Sequence, residues 1–172
     1  MTLRTICLHG PESTGKSTIA PHLAEQFGSV VVAEYGRTYC ERNGTDLTMA
    51  DLVTIARTHD NQTRAAVAAG PLPVILDTDP LMTAVWADML FDQRDPWFDR
   101  WTNTADLYLL FDIDLPWEED GTRLFGTPDL RRKFFDLSRR ELDRRAVPWA
   151  LVSGHGEQRT RTALDAIRRH MA

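Results

Sequence analysis

Short apolar runs alternate along the chain with longer segments whose apolar residues recur at helical spacing. Such runs predict strands buried on both faces, which need no polar alternation. They fall at Thr5–His9, Val30–Ala33, Pro73–Leu76, Leu107–Phe111 and Trp149–Val152. Strands that alternate with helices in this way favour a parallel sheet. The pattern therefore predicts an α/β fold, with five parallel strands and helices on both faces.

The intervening segments carry helix signals. Apolar residues spaced by four predict a helix over Ser17–Phe27, and a short one is predicted over Arg37–Arg42. A longer helix is expected from Thr48 to Gly70, where helical spacing is kept by Leu52, Ile55, Ala56, His59, Thr63 and Ala66. Four further helices are predicted. One covers Thr78–Leu90, one begins at Asp95-Pro96, an arginine-rich one ends at Arg145, and one lies at the end of the chain. A polar stretch, Glu118–Thr127, separates the fourth strand from the arginine-rich helix.

Composition narrows the class of protein. The 172 residues suggest one domain over 1–172, and a 42% hydrophobic fraction argues against disorder. A net charge of −5 argues against a nucleic-acid-binding surface, and no apolar run is long enough for a membrane span. Cys7 and Cys40 form no disulfide framework, so we expect a cytoplasmic protein. The sequence indicates no protein partner.

The strongest motif is the eight-residue segment from Gly10 to Ser17, which fits G-x-x-x-x-G-K-[ST] between a predicted strand and a predicted helix. Its amides and the helix N-terminus would cradle phosphates, Lys16 would reach the β- and γ-phosphates, and the Ser17 hydroxyl would bind Mg²⁺. The alternative is a glycine-rich turn that only connects strand and helix. The predicted ATP-binding residues here are Gly10, Glu12, Ser13, Thr14, Gly15, Lys16, Ser17 and Thr18.

A second signal is the acidic end of the third strand. Mg²⁺ bound to one hydroxyl and to phosphates also needs a carboxylate, and Asp77 ends an apolar run. Asp77 is therefore the first candidate for the metal, and Asp79 is the second. Asp79 also precedes Pro80, so its alternative role is to cap the next helix.

Several protein classes use such a cradle. The chain lacks the Asn-Lys-x-Asp guanine-binding motif of GTPases, and motors or AAA-type ATPases usually need more chain. A small-molecule kinase fits the length, but it must exclude water from the transferred phosphate. Residues 118–132 are the predicted lid, with Arg123, Arg131 and Arg132 as candidate phosphate clamps. For Arg139, Arg140, Arg144 and Arg145 we favour a solvated helix face.

The acceptor site is expected at the same sheet edge. Glu34 follows the second strand, where its carboxylate could take a proton from a substrate hydroxyl, and Arg37 stands three residues later. Four aromatic residues near that edge could stack on a planar ring or belong to the core: Tyr35, Tyr39, Trp86 and Trp117. Trp97, Trp101 and Trp149 are assigned to the core.

Four segments in this order resemble the ribosylnicotinamide kinase domain of the NadR type: the Gly10–Ser17 motif, Ala33-Glu34-Tyr35-Gly36-Arg37, Leu76-Asp77-Thr78-Asp79 and Trp117-Glu118-Glu119-Asp120-Gly121-Thr122-Arg123. The resemblance implies a nucleoside-monophosphate-kinase-like P-loop fold. It also implies Mg–ATP-dependent phosphorylation of the 5′-hydroxyl of nicotinamide riboside, which yields nicotinamide mononucleotide for NAD salvage.

The resemblance also implies roles for single residues. Glu34 and Asp79 would contact ribose or hydroxyl groups, Asp77 would lie at the metal, and Tyr35 or Trp86 would stack on the nicotinamide ring. Arg123 would be a lid arginine, and the turn around Gly154 would border the adenine. NadR-type proteins often add an adenylyltransferase and a DNA-binding segment, for which these 172 residues leave no room. Two other functions stay open: another nucleoside or small-metabolite kinase, and a regulatory ATPase module.

Overall fold

The sheet has five parallel strands in the order β2-β3-β1-β4-β5. The computed structural model describes residues 2–172; Met1, where the predicted domain begins, lies outside them. The strands are β1 (Thr5–His9), β2 (Val31–Val32), β3 (Val74–Asp77), β4 (Leu107–Phe111) and β5 (Trp149–Val152). The predicted α/β fold with five parallel strands is confirmed.

Seven helices connect and follow the strands within residues 2–172. They are α1 (Lys16–Gln26), α2 (Tyr35–Asn43), α3 (Met49–Ala69), α4 (Pro80–Phe91), α5 (Pro96–Arg100), α6 (Pro128–Arg144) and α7 (Gly156–Met171). No helix in this range is long and apolar enough to cross a membrane.

Alternate residues of the central strand pack on opposite faces of the sheet, as the strand pleat requires. Ile6 and Leu8 of β1 pack with residues of α1 and α7. Cys7 of the same strand packs on the other face with residues of α4 and α6. Both faces of β1 are therefore covered, which explains its uninterrupted apolar sequence.

Two predicted boundaries near the site are wrong. β2 is an edge strand of only two residues, and Val30 before it is 41% exposed. The chain turns after this short strand, and α2 begins at Tyr35 instead of Arg37. Thr78 has a left-handed backbone (φ 68°), which a helix cannot contain, so α4 begins at Pro80 instead of Thr78. Both shifts leave an acidic residue at a helix start: Glu34 before α2 and Asp79 before α4.

The carboxyl ends of β1, β2 and β3 lie side by side at one edge of the sheet. The register pairs Leu8 of β1 with Asp77 of β3, and Val32 of β2 with Leu76 of β3. The Gly10–Ser17 loop, Glu34 and Asp77 therefore meet at this edge, where ligands bind in open parallel sheets.

Candidate functional site

The Gly10–Ser17 loop, hereafter the phosphate loop, depends on glycine at both ends. Gly10 has φ +123°, and a Cβ there would stand 2.9 Å from the carbonyl oxygen of Phe111. Gly15 has φ +86° and precedes α1, whose first amides donate to no capping side chain. Uncapped amides at a helix N-terminus form an anion-binding site. The loop can therefore bind phosphate through its backbone.

Lys16 lies folded under the phosphate loop. Its Nζ donates hydrogen bonds to the carbonyls of Gly10 (2.9 Å) and Pro11 (2.5 Å) and to Oγ1 of Thr14 (3.3 Å). Burial lowers the pKa of Lys16, while Glu34 and Asp77 favour its charged form. The amine thus sits at the loop with three donors, the number it would offer to phosphate oxygens.

Asp77 and Ser17 form the candidate magnesium site. The Ser17 hydroxyl donates to Oδ2 of Asp77 at 2.7 Å, while Oδ1 of Asp77 is buried and has no hydrogen-bond partner in residues 2–172. A hydroxyl beside a carboxylate with a free oxygen suits Mg²⁺, which binds few protein ligands alongside phosphate oxygens and water. Within the described chain, no group of three or more His, Cys, Asp or Glu side chains could hold a metal. The donor set therefore fits Mg²⁺ shared with a nucleotide.

Asp79 points away from this site. Its Oδ1 accepts from the amide of Leu81 (2.9 Å) and caps α4, and its Oδ2 accepts from the hydroxyl of Tyr108 (2.5 Å). The side chain is 2% exposed and does not line the cavity. Burial raises its pKa to about 6, although the bonds from Tyr108 and Leu81 oppose the shift. The capping alternative is confirmed, and the predicted substrate and metal roles of Asp79 are not supported, since both oxygens are engaged inside the core.

Glu34 lies at the wall of a cavity that opens onto the phosphate loop. It precedes α2 directly, and its side chain caps no helix amide. Burial, followed by the nearby Asp77, raises the pKa of Glu34 to about 7; Lys16 and Arg37 act in the opposite direction. A carboxylate with a pKa near neutrality suits general-base catalysis.

Arg37 and Arg123 meet at one carboxylate. Oδ2 of Asp120 accepts from Nη1 of Arg37 at 2.7 Å and lies 3.2 Å from Nε of Arg123. Partial burial opposes ionisation of Asp120, but the hydrogen bonds from Thr122, the charge of Arg123 and the hydrogen bond from Arg37 lower its pKa to about 2. Both arginines line the cavity. Asp120 thus links α2 to the irregular segment 118–127, at the start of the predicted lid.

The segment 118–127 is also attached to the phosphate loop. Oε2 of Glu12 accepts from the amides of Leu124 (3.1 Å) and Phe125 (3.4 Å). Oγ of Ser13 accepts from the amide of Glu118 at 2.8 Å. These contacts bring the predicted lid and the predicted ATP-binding residues together. Burial raises the pKa of Glu12, against the effect of the two amides.

The remaining arginines of the predicted lid and of α6 either bond backbone carbonyls or side chains outside the cavity or are exposed to solvent. Arg131 is buried outside the cavity and donates to the carbonyls of Leu115 (2.9 Å) and Ser13 (3.4 Å), while exposed Arg132 lies over the ring of Phe135. The structure does not place either as a phosphate clamp, because neither lines the cavity. Arg139 and Arg140 are exposed and Arg144 pairs with Glu141, whereas Arg145 departs from the predicted solvated face and donates to the carbonyl of Phe98 at 3.1 Å.

One of the four candidate stacking residues lines the cavity. Trp86 does so, and its ring packs 5.1 Å from that of Phe125. Tyr35 and Tyr39 pack against each other outside the cavity lining, and Trp117 lies beneath Arg131. The structure therefore does not place Tyr35, Tyr39 or Trp117 in the lining of the cavity. The apolar wall near Trp86 consists of Cys40, Leu47, Leu52, Ile55 and Met82.

Sequence reasoning missed Arg159 as a support of the phosphate loop. Its side chain is 2% exposed and donates to the carbonyls of Thr14 (2.9 Å) and Asp112 (2.6 Å). It also donates to Oδ1 of Asp114 (2.5 Å) and to the carbonyl of Gly154 (2.9 Å). Arg159 thus links Gly154 to the phosphate loop, and Gly154 does not line the cavity. The available signal was helical spacing, because Arg159 lies on the buried face of α7 with Ala163, Ala166 and Ile167.

His59 is the second functional candidate that the sequence left unassigned. It lines the cavity while only 3% exposed, and neither ring nitrogen has a hydrogen-bond partner in the described chain. Burial lowers its pKa, although Asp77 and the nearby carbonyls of Asp77 and Ala33 favour the charged form. The apolar spacing of α3 had indicated a core position.

Comparison with known proteins gives matches over most of the chain. The family model described as AAA domain matches residues 5–159. The trifunctional NAD biosynthesis/regulator protein NadR of Escherichia coli (strain K12) is 29% identical over 141 residues, which are 78% of this chain and 34% of NadR. The chain therefore spans about a third of this curated relative's length. The resemblance to NadR-type proteins is confirmed in sequence. The expectation that an AAA-type protein needs a longer chain was wrong, because the AAA domain model matches this chain.

Solved structures show the same fold. A NadR protein in complex with NR has a TM-score of 0.78 at 23% identity, and one in complex with NAD and AMP-PNP has 0.79 at 23%. In both cases 98% of this chain and 49% of the other are covered. Thymidylate kinase from Candida albicans has a TM-score of 0.70 at 14% identity over 99% and 93% of the two chains. The predicted nucleoside-monophosphate-kinase-like P-loop fold is confirmed.

Proposed function

The chain belongs to the AAA domain family, and we propose that it is an ATP-dependent kinase that phosphorylates the 5′-hydroxyl of nicotinamide riboside. One observation carries the proposal: Lys16 and Glu34 share a single cavity, which continues into an apolar wall with Trp86. Phosphate-binding and proton-accepting groups thus lie beside a pocket suited to a planar ring. The similar NadR proteins support the choice of acceptor, because one was solved with NR, which we take as nicotinamide riboside.

The phosphate loop binds the ATP phosphates in this proposal. The uncapped amides of α1 and the Lys16 amine contact the β- and γ-phosphates. The predicted loop set from Gly10 to Thr18 supplies this site, and each of its proposed members lines the cavity. Ser17 and Asp77 would hold Mg²⁺, which neutralises phosphate charge when bound.

Glu34 acts as the base for the acceptor. Its carboxylate takes the proton of the 5′-hydroxyl as that oxygen forms a bond to the γ-phosphorus and the bond to the β-phosphate oxygen breaks, which releases ADP. Arg37 and Arg123, held by Asp120, line the same cavity and place positive charge beside the transferred group. The segment 118–132 is proposed as the lid that excludes water. Trp86 is proposed to stack on the nicotinamide ring.

A kinase for another nucleoside or small metabolite is the second candidate. It is favoured by the fold shared with thymidylate kinase and with deoxyadenosine kinase from M. mycoides, the latter with a TM-score of 0.67 at 14% identity. We propose a cytoplasmic location for either activity, since Cys7 and Cys40 are both free thiols.

The deciding experiment incubates the purified protein with Mg–ATP and a panel of ribosides and deoxynucleosides, and it identifies products by mass. Nicotinamide mononucleotide supports the proposal, whereas another phosphorylated acceptor supports the second candidate. ATP hydrolysis without any phosphorylated acceptor contradicts both and indicates a regulatory ATPase.

Lys16→Ala tests the phosphate loop in the same assay. Turnover should fall by about a hundredfold or more, because Lys16 is proposed to stabilise charge in the transition state. Lys133→Ala is the matched control, since Lys133 is exposed on α6 and should be replaceable without loss. A Lys16→Ala protein that folds and retains the parent rate contradicts the assignment.

A further inference from the structure

His59 is a buried polar side chain that lies beside acceptors of the described chain, the Asp77 carboxylate and the carbonyls of Ala33 and Asp77. It is 3% exposed, and both Nδ1 and Nε2 lack partners. A neutral imidazole can donate its one N–H to such a carbonyl, but its other nitrogen is an acceptor, and buried polar groups in native proteins are almost always hydrogen-bonded, so that nitrogen still needs a donor. The ring lines the cavity that holds Lys16 and Glu34, so a ligand there can supply that partner.

The position of His59 on α3 indicates which part of a bound nucleoside it would contact. Leu52, Ile55 and His59 all line the cavity, and they span about 10 Å along the helix axis at 1.5 Å per residue. The first two belong to the apolar wall near Trp86. The third lies near the ends of β2 and β3, beside the carbonyls of Ala33 and Asp77. His59 therefore lies between the ring-binding wall and the phosphate-transfer site.

A nucleoside placed along this cavity has its sugar between those two ends. Its 5′-hydroxyl must reach Glu34, and its planar base must reach the apolar wall, so the ribose passes His59. A neutral imidazole offers one N–H donor and one acceptor, and a sugar hydroxyl offers the same pair. The two groups match in hydrogen-bonding capacity.

We propose that His59 hydrogen-bonds a secondary hydroxyl, at C2′ or C3′, of the ribose in the acceptor. The inference rests on the proposed function, because it requires a riboside acceptor. It makes His59 a specificity-determining residue that favours ribosides over the corresponding deoxyribosides.

The test compares nicotinamide riboside with its 2′-deoxy and 3′-deoxy analogues in the parent protein, His59→Phe and His59→Asn. His59→Phe should lower kcat/KM for the riboside by roughly tenfold to a hundredfold, the effect of leaving a buried hydroxyl unpaired. It should leave kcat/KM unchanged for the analogue that lacks the bonded hydroxyl. The KM for ATP should also stay unchanged. His59→Asn retains a donor and an acceptor and should recover part of the loss.

Thr63→Val is the matched control. Thr63 lies one turn further along α3, is 5% exposed and also has an unpaired hydroxyl, but it does not line the cavity. Its replacement should alter none of the three kcat/KM values. Urea unfolding of each variant identifies proteins that have lost their fold.

Two results would overturn the inference: no loss on the riboside, or an equal loss on the riboside and both analogues. The parent protein separates this outcome from failure of the proposed function. If the parent phosphorylates a different riboside, the proposed acceptor is wrong and the comparison is repeated with that riboside and its deoxy analogues. If the parent phosphorylates no riboside, the role of His59 is refuted as well.

Discussion

Replacing Arg159 with methionine tests whether the phosphate loop depends on support from α7. Methionine has a similar length and can still pack on Phe111, whose ring lies 5.4 Å from the guanidinium. The substitution removes hydrogen bonds to three backbone carbonyls and to Asp114. The loss of folding free energy comes from these acceptors, which stay buried or partly buried without a hydrogen-bond donor once the guanidinium is removed.

The expected destabilisation is about 3 kcal/mol. Removing one partner of a buried charged network typically costs about 3–5 kcal/mol, and each unpaired buried carbonyl costs about 1–3 kcal/mol. The lower end applies because the Asp114 side chain is 31% exposed and can regain water. For a chain of this size, about 3 kcal/mol lowers the melting temperature by roughly 6–12 °C.

Arg161→Met is the matched control, because Arg161 lies two residues further along α7. Its side chain is 73% exposed and stands 3.6 Å from Glu157, so its loss should change stability by no more than about 0.5 kcal/mol. Urea unfolding of both variants measures the difference in free energy of unfolding. Because Arg159 binds the Thr14 carbonyl, its variant should also need more ATP for half-maximal rate. Two variants with stability within about 0.5 kcal/mol of each other, and with equal KM for ATP, would refute the reasoning.

Three further changes address the acid, the metal site and the lid. Glu34 stays protonated to a higher pH when folded than when unfolded, so its ionisation costs stability as pH rises towards about 7. In EDTA, Glu34→Gln should therefore unfold at a higher urea concentration than the parent at pH 8 but not at pH 4. With Mg–ATP, its phosphoryl transfer should fall about a hundredfold, and an unchanged transfer rate excludes Glu34 as base. Ser17→Ala should raise the Mg²⁺ concentration needed for half-maximal turnover, with the maximal rate largely restored at saturating Mg²⁺; an unchanged Mg²⁺ dependence would separate Ser17 from the metal. Asp120→Asn removes the charge that joins Arg37 and Arg123, so the ratio of ATP hydrolysis to acceptor phosphorylation should rise, as product analysis would show; a constant ratio contradicts the lid role.

The fold and the donor side of the site could be predicted from local sequence. β1 and β4 have the predicted bounds because strands buried on both faces are continuous apolar runs. β5 also has the predicted bounds, although it is an edge strand in which Leu151 is 44% exposed. The phosphate loop and Asp77 could also be predicted, since a loop between strand and helix and an acid at a strand end are local features of the sequence. Glu34 required only the rule that parallel strands end at one edge.

The acceptor side depends on contacts between residues far apart in sequence. Trp86 lines the cavity and Tyr35 does not, although both are aromatic residues near the same edge. Asp79 resembles Asp77 in its sequence context, but its side chain turns into the core, where it accepts a hydrogen bond from Tyr108. Tyr108 is 29 positions away in the chain. Arg159 supports Thr14 across 145 positions. No periodicity or motif encodes such pairings.

The two lysine amines of the chain differ sharply in accessibility: Lys16 is folded beneath its loop, and Lys133 stands exposed on α6 just after the segment 118–127. An amine-reactive fluorophore would therefore label one lysine side chain readily, beside the segment expected to close, without any introduced cysteine. Slow acylation of the second amine would then report how often the loop opens, and a bound nucleotide should protect it.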